Sequence, residues 1–223
     1  VEKVAAAVFN NIRWCEIVCE THGIVGRSTG SAWRTTSKAP AYYPDIITSS
    51  NNATVEEIAE MLSNKETASV KDSFANLDLS SLGLGILFEA EWIYHAPLAD
   101  LKSIPPGWSQ VRTDGDLSDW TLAHGSGNVI KSSLLEHRDV NIYICEKKGV
   151  VGGFIAALGA GVVGISNVFS NGDLVGLWSD IPQVVSQEFP GIPVVGYEQG
   201  TDLRAAIQSG WASLGPLRIW VNQ

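Results

Sequence analysis

Residues Ile192 to Val221, IPVVGYEQGTDLRAAIQSGWASLGPLRIWV, pass from an apolar strand through the polar corner Tyr197-Glu198-Gln199 into a short helix closed by Gly210. A Trp-bearing strand, Leu217-Arg218-Ile219-Trp220, ends the stretch. Residues Ala68 to Ile93, ASVKDSFANLDLSSLGLGILFEAEWI, repeat that order with Lys71-Asp72-Ser73 as the corner, Gly83 as the closing glycine and Trp92 in the final strand. Two related α/β units in tandem are therefore expected.

The rest of the chain is read outward from these two stretches. Val8, Ile12, Cys15 and Cys19 are spaced four, three and four, the stripe of an amphipathic helix ending near His22-Gly23. Trp33 opens an aromatic and β-branched segment reaching Ile46-Ile47, which predicts a strand. Thr54 with Glu57 three residues later is a capping-box signal for a helix carrying Val55, Ile58 and Leu62. Between Pro97 and Gly107 two prolines and a glycine interrupt regular structure, which places a first module at 1–98, a linker at 99–106 and a second module at 107–223.

In the second module Trp108 to Val111 predicts a strand, and Asp114 starts a helix carrying Leu117, Trp120 and His124. Three β-rich runs follow, Asn141–Cys145, Val150–Leu158 and Val162–Phe169, turned at Lys147-Lys148-Gly149 and Gly159-Ala160-Gly161. A short helix is placed at Ser132 to His137, and a longer one is expected to start at Ser179-Asp180 with Pro182 in its first turn.

Composition restricts the function classes. The 223 residues are 45% hydrophobic and 17% charged, enough apolar content for one large core or two smaller ones. A net charge of −9 argues against a nucleic-acid partner, which would require clustered Lys and Arg, and an anionic small ligand needs a local cation. Three cysteines with no C-x-x-C spacing and four scattered histidines predict buried thiols, a reducing cytoplasmic setting and no metal site. The first residues show neither a basic n-region with a long apolar run nor a membrane span.

Two motifs fail on context. Gly159-Ala160-Gly161-Val162-Val163-Gly164 matches G-x-G-x-x-G but leads into a β-branched strand, where a dinucleotide site needs a helix. His124-Gly125-Ser126-Gly127 lacks the spacing of a nucleophile elbow. The polar corners are more informative, because strand ends followed by helix N-termini are where open α/β sheets bind ligands. Lys71, Asp72, Tyr197 and Glu198 are thus candidate site residues, and Trp33 is a candidate pocket wall. Trp92 and Trp220 are read as structural and equivalent.

The three strand runs up to Val163-Gly164-Ile165-Ser166-Asn167-Val168-Phe169, the helix to Phe189, the strand Pro193 to Tyr197 and the ending Leu203 to Trp220 resemble the GNAT acetyltransferase superfamily over about Gly107 to Gln223. The first module is similar to an abbreviated copy. The resemblance implies a mixed α/β fold of tandem GNAT-like modules, each a central sheet flanked by helices, and acyl-CoA (acetyl-CoA or another) as cofactor. It also implies an unidentified amine as small-molecule substrate. Carried over residue by residue, Val168, Phe169 and Ser170 line the pantetheine arm and Gly172 and Gly176 belong to the pyrophosphate loop. Glu198, at a strand end, is a candidate general base, and Tyr197 or a bound water is the candidate acid. The sequence departs from the family pattern in the spacing of Gly172 and Gly176, in Asp173 and Asp180 near the phosphates, and in Ala206 where many members carry a tyrosine. Three functional readings follow: an acyl-CoA-dependent N-acyltransferase, a non-catalytic binding or assembly protein that kept the fold, or a site supplied by Lys71 and Asp72 of the first module.

Overall fold

A computed structural model describes residues 2–63, 69–100, 103–147 and 149–222. Ala68 at the head of the first repeat, Leu101 and Lys102 of the linker and Lys148 of the predicted turn lie outside the described residues. The apolar stripe at the start forms α1 (Glu2–Thr21), which ends at Gly23 with φ +71°. A hairpin of β1 (Gly26–Thr29) and β2 (Ala32–Thr35) follows, then β3 (Ile46–Thr48) and α2 (Val55–Leu62). Strand β4 (Ser69–Asp72) leads through a 3-10 turn to β5 (Leu84–His95). The second half contains β6 (Trp108–Gln110), α3 (Asp114–His124), a 3-10 turn at Ser132–Glu136, and the meander β7 (Val140–Lys147), β8 (Val150–Gly159) and β9 (Val162–Ser170). It closes with α4 (Leu174–Glu188), β10 (Val194–Glu198), α5 (Gly200–Gln208) and β11 (Ala212–Asn222).

The eleven strands of the described residues form one mixed sheet in the order β1-β2-β3-β4-β11-β5-β10-β9-β8-β7-β6. The centre of the sheet is an exchange: β11, from the end of the chain, lies between β4 and β5, and β5 lies between β11 and β10. The final strand of each half therefore pairs with the other half. β5 and β11, the longest strands, also pair antiparallel with each other from Leu84↔Asn222 to Tyr94↔Ala212.

Helices cover both faces. On one face α1 packs on β8 and β9 and α3 on β8, burying Val8, Trp14, Cys15, Val18, Leu117 and Trp120 in the largest apolar cluster. The opposite face carries α2 over Ile46, Val70 and Trp220, and α4 with α5 over Phe154, Val163 and Ile165. Trp92 and Trp220 thus belong to opposite faces, and their registers also differ: Trp92 is opposite Tyr197 and Trp220 opposite Val70.

Polar side chains lock α1 in place. Buried Asn10 donates from Nδ2 to the carbonyls of Ala157, Gly159 and Val162 at 2.9, 3.1 and 3.2 Å, tying the helix to the β8–β9 hairpin. A Cβ at Gly164 would collide with Asn10, so the close approach requires glycine there. In α2, Thr54 accepts from Glu57 N at 3.2 Å as expected, but the Glu57 carboxylate accepts from Ser31 N at 2.6 Å and pins the β1–β2 hairpin instead of closing a capping box. The full box sits at α3, between Thr113 and Asp116.

Two expected elements differ. The helix placed before Gly83 is only a 3-10 turn, Ser80–Leu82, because Asp78 Oδ1 takes Ser80 N at 3.0 Å and its hydroxyl at 2.6 Å, holding an Asx turn. Helix α4 starts at Leu174, capped by Asp173, rather than near Ser179, so Pro182 is internal. Proline has no N–H, which frees the carbonyl of Trp178 one turn back. Trp211 Nε1, arriving from the end of α5, donates to that carbonyl at 3.1 Å.

Candidate functional site

The parallel strands β9 and β10 pair only at Val163↔Val194 and Gly164↔Val195. Beyond that point β9 runs on to Ser170 and β10 to Glu198 without pairing to each other, and the sheet opens. On its other edge β9 is bulged: Asn167 and Val168 stand against the single residue Phe154 of β8, between the pairs Ser166↔Ile155 and Phe169↔Gly153. Asn167 has φ +53°, a left-handed conformation that asparagine tolerates better than most residues.

The opening leads into a cavity of about 450 Å³ on the α1 face. Its walls come from α1 (Asn11, Cys15), the loop Tyr42–Pro44, β4 (Lys71), the end of α3 (His124 to Ser126), the bulged part of β9 and the end of β10 (Tyr197, Glu198). Among the described residues Lys71 is the one lysine or arginine on this wall, and it is 1% exposed. Its ammonium donates to Asn11 Oδ1 at 2.7 Å and lies 4.1 Å from the centre of the Tyr197 ring, which stands edge-on to Trp92 with centroids 5.5 Å apart. Among the described residues no carboxylate comes within 4.0 Å of it.

Several neutral groups complete the wall. Tyr43 donates its hydroxyl to Asn167 Oδ1 at 3.3 Å. His124 stacks on Trp120 at 4.9 Å, and desolvation lowers its pKa, keeping the imidazole neutral. Its Nδ1 and the Ser126 hydroxyl are buried without a hydrogen-bond partner. Burial pushes the Cys15 thiol up to about 11, with Lys71 pulling weakly the other way, so this sulfur is not a thiolate at neutral pH.

Glu198, half-buried, ends β10 at the lip of the opening. Desolvation, aided by the negative charge of Asp202 in the first turn of α5, raises its carboxyl to about 8. A carboxyl in that range exchanges its proton near neutral pH, the property required of an acid–base group.

The remaining sequence-derived candidates divide between the cavity and the packed body. Val168 lines the cavity, whereas Phe169 packs edge-on against Trp120 and His124 at 5.4 and 5.3 Å. Ser170 Oγ accepts from Gly172 N at 3.1 Å in an exposed bend, and Gly176 N donates to Asp173 Oδ1 at 2.9 Å. The first turn of α4 is therefore capped by its own chain. On the same side of the sheet, Ser209 Oγ donates to Val175 O at 3.0 Å and Trp211 packs edge-on against Trp178 at 5.4 Å, joining α5 to α4. Ala206 is fully buried between them.

Asp72 and Trp33 lie outside the cavity wall. Asp72 is buried, its pKa raised by desolvation, and its Oδ2 accepts from Leu77 N at 3.0 Å. Trp33 is buried in β2, directly behind Gly26. The first half has its own parallel pair, β3 with β4, joined at Ile46↔Val70 and Ile47↔Lys71. There Thr48 Oγ1 accepts from Ser73 N at 2.8 Å and lies 3.5 Å from Lys71 O, stitching the two strand ends together. The two corners are thus unequal: one is sewn shut and one opens on the cavity.

Asn11, Tyr43, His124, Ser126 and Asn167 belong to the wall but were not among the sequence candidates. A signal existed for Asn11, which lies four residues before Cys15 on the buried side of α1. Nothing local marks the others, since they converge from separate loops and strands.

No family model matches the chain, and no curated protein matches it. Solved structures do. A conserved protein of unknown function from Staphylococcus epidermidis ATCC 12228 superposes with a TM-score of 0.64 at 12% identity, over 92% of this chain and 96% of that one. A protein from Novosphingobium aromaticivorans, whose name places it in the GNAT acetyltransferase family, gives 0.56 at 13% identity, over 93% and 94%. The chain has the GNAT fold, a large mixed sheet flanked by helices and opened between two parallel strands.

Proposed function

We propose that the protein is a GNAT-type N-acyltransferase that moves an acyl group from a thioester such as acyl-CoA to a small amine held in the cavity. The observation that carries this reading is the parting of β9 and β10 onto a polar cavity with Glu198 at its lip. When bound, acyl-CoA supplies an electrophilic thioester carbonyl. Glu198 accepts the proton that an ammonium must shed before its nitrogen can attack, directly or through water. With alanine at position 206, the proton returned to the leaving sulfur is assigned to the Tyr197 phenol, which lines the wall beside Glu198, whereas the Tyr43 hydroxyl is engaged with Asn167. The bulge at Asn167–Val168 interrupts the strand ladder beside the opening and leaves an extra residue unpaired there, which favours backbone contact with the thioester carbonyl. The neutral Cys15 thiol argues against a covalent acyl-cysteine step.

The thioester end of acyl-CoA fits the opening; the phosphate end fits less well. Asp173 occupies the N-terminal amide of α4 at Gly176 and brings a negative charge to the place where a pyrophosphate would lie. That cap, with the α4–α5 contacts through Trp211 and Ser209, favours a second reading in which the fold binds a small ligand without acyl transfer. Isothermal titration with acetyl-CoA separates the two, together with release of free CoA thiol in the presence of mixed amines. Heat on titration, together with thiol release that falls at least about tenfold in Glu198→Gln, supports the transferase. No heat at millimolar acetyl-CoA removes the donor, and unchanged biological activity in Glu198→Gln supports the binding protein.

A further inference from the structure

Among the described residues Lys71 has no carboxylate within 4.0 Å that explains its burial. Placing an ammonium out of water is costly unless charge or hydrogen bonds compensate it. The groups that meet it are neutral: one carbonyl oxygen, Asn11 Oδ1 at 2.7 Å, and the face of Tyr197 at 4.1 Å. An ammonium has three N–H donors, and these contacts use two directions. The side chain belongs to a strand of the first half yet forms part of the wall of the cavity at the end of β9 and β10 in the second. Nearby, Ser126 Oγ and His124 Nδ1 are also buried without partners on the same wall. Among the described residues Lys71 and Glu198 are the only lysine, arginine, aspartate or glutamate on that wall, and they belong to different strands.

We propose that Lys71 anchors a carboxylate of the cavity's ligand, which makes that ligand a small carboxylic acid. Combined with Glu198 as the amine's base, the acceptor is an amino-acid-like molecule whose carboxylate meets Lys71 and whose amine meets Glu198. The assignment of a carboxylate rests on the cavity being the ligand site proposed above and not on acyl transfer itself. A volume of about 450 Å³ accepts molecules from an amino acid up to dipeptide size.

The test uses matched pairs that differ only in charge: acetate against acetamide, glycine against glycinamide, and N-acetylglycine against N-acetylglycinamide. Binding to the whole protein is followed by NMR titration at constant ionic strength, without acyl-CoA. At least one acid is expected to bind the wild type about tenfold or more tightly than its amide, as a charge-assisted hydrogen bond to a desolvated cation provides. In Lys71→Met that ratio falls to about one, while in Arg13→Gln, on the exposed side of α1, it is unchanged. Equal binding of acid and amide across all three pairs in the wild type overturns the proposal, whether or not Lys71→Met folds. A discrimination that survives in a folded Lys71→Met overturns it equally. A carboxylate response with no heat from acetyl-CoA removes the transferase and leaves the anchor standing.

Discussion

Replacing Glu198 with glutamine makes the raised carboxyl measurable as stability. The group moves from an ordinary 4.5 to about 8 on folding, so the native state holds a proton that the unfolded chain has released across that window. Its contribution to stability is complete below pH 4.5, falls as pH rises, and levels off above pH 8. The slope is about 1.4 kcal/mol per pH unit, so about 3 kcal/mol of stability is lost between pH 5 and pH 8 in the wild type and retained by Glu198→Gln. With an urea slope of roughly 2–3 kcal/mol/M for a chain of this size, the variant's midpoint exceeds that of the wild type by about 1 M more at pH 8 than at pH 5. Urea titrations of both proteins at the two pH values measure the difference directly, and the other titrating groups, Asp72 and His124 among them, cancel in it. An equal midpoint gap at both pH values would refute the desolvated carboxyl and, with it, the choice of Glu198 as the proton acceptor. In the active protein the same titration makes the rate rise with pH to a plateau above about 8.

Other perturbations test separate parts of the structure. Trp211→Phe keeps the ring but removes the donor to the Trp178 carbonyl, which Pro182 cannot replace; urea denaturation should show a loss of about 1–3 kcal/mol, partly recovered by adding Pro182→Ala. Asp173→Ala should cost about 1 kcal/mol of stability by removing the α4 cap, and by freeing the Gly176 amide it should tighten acetyl-CoA in calorimetry. Cys15 and Cys19, buried and raised to about 11 and 12, should resist a disulfide reagent at pH 8 in the native protein and react on unfolding.

What the sequence exposes is local. The runs that became β7, β8 and β9, the strand–helix–strand at β10, α5 and β11, and the stripe of α1 all carry their signal in neighbouring residues. Glu198 and Tyr197 were identifiable as a strand end before a helix, and the cavity wall includes both. The exchange of β5 and β11 was not legible, because both strands present similar apolar faces and only distant pairing decides which neighbour each takes. The hairpin strand Gly26–Thr29 is an edge strand of mostly exposed residues and has no apolar alternation to detect. Pro182 matches a first-turn residue, where its missing donor is harmless; in the structure Trp211, just beyond α5, meets the freed carbonyl, a compensation no local pattern displays. Lys71 and Asp72 look alike as corner residues. Thr48 closes that corner, and because adjacent strand residues point to opposite faces, Lys71 reaches the cavity on the α1 side while Asp72 turns to Leu77.

Acyl transfer by this fold requires the donor to enter at the gap between β9 and β10. A crystal structure with millimolar acetyl-CoA is the measurement that decides it. Density for the thioester end is expected between Ser166–Val168 of β9 and Tyr197 of β10, with Glu198 beside it. Density for the donor elsewhere on the molecule, with that gap closed by side chains, would contradict it.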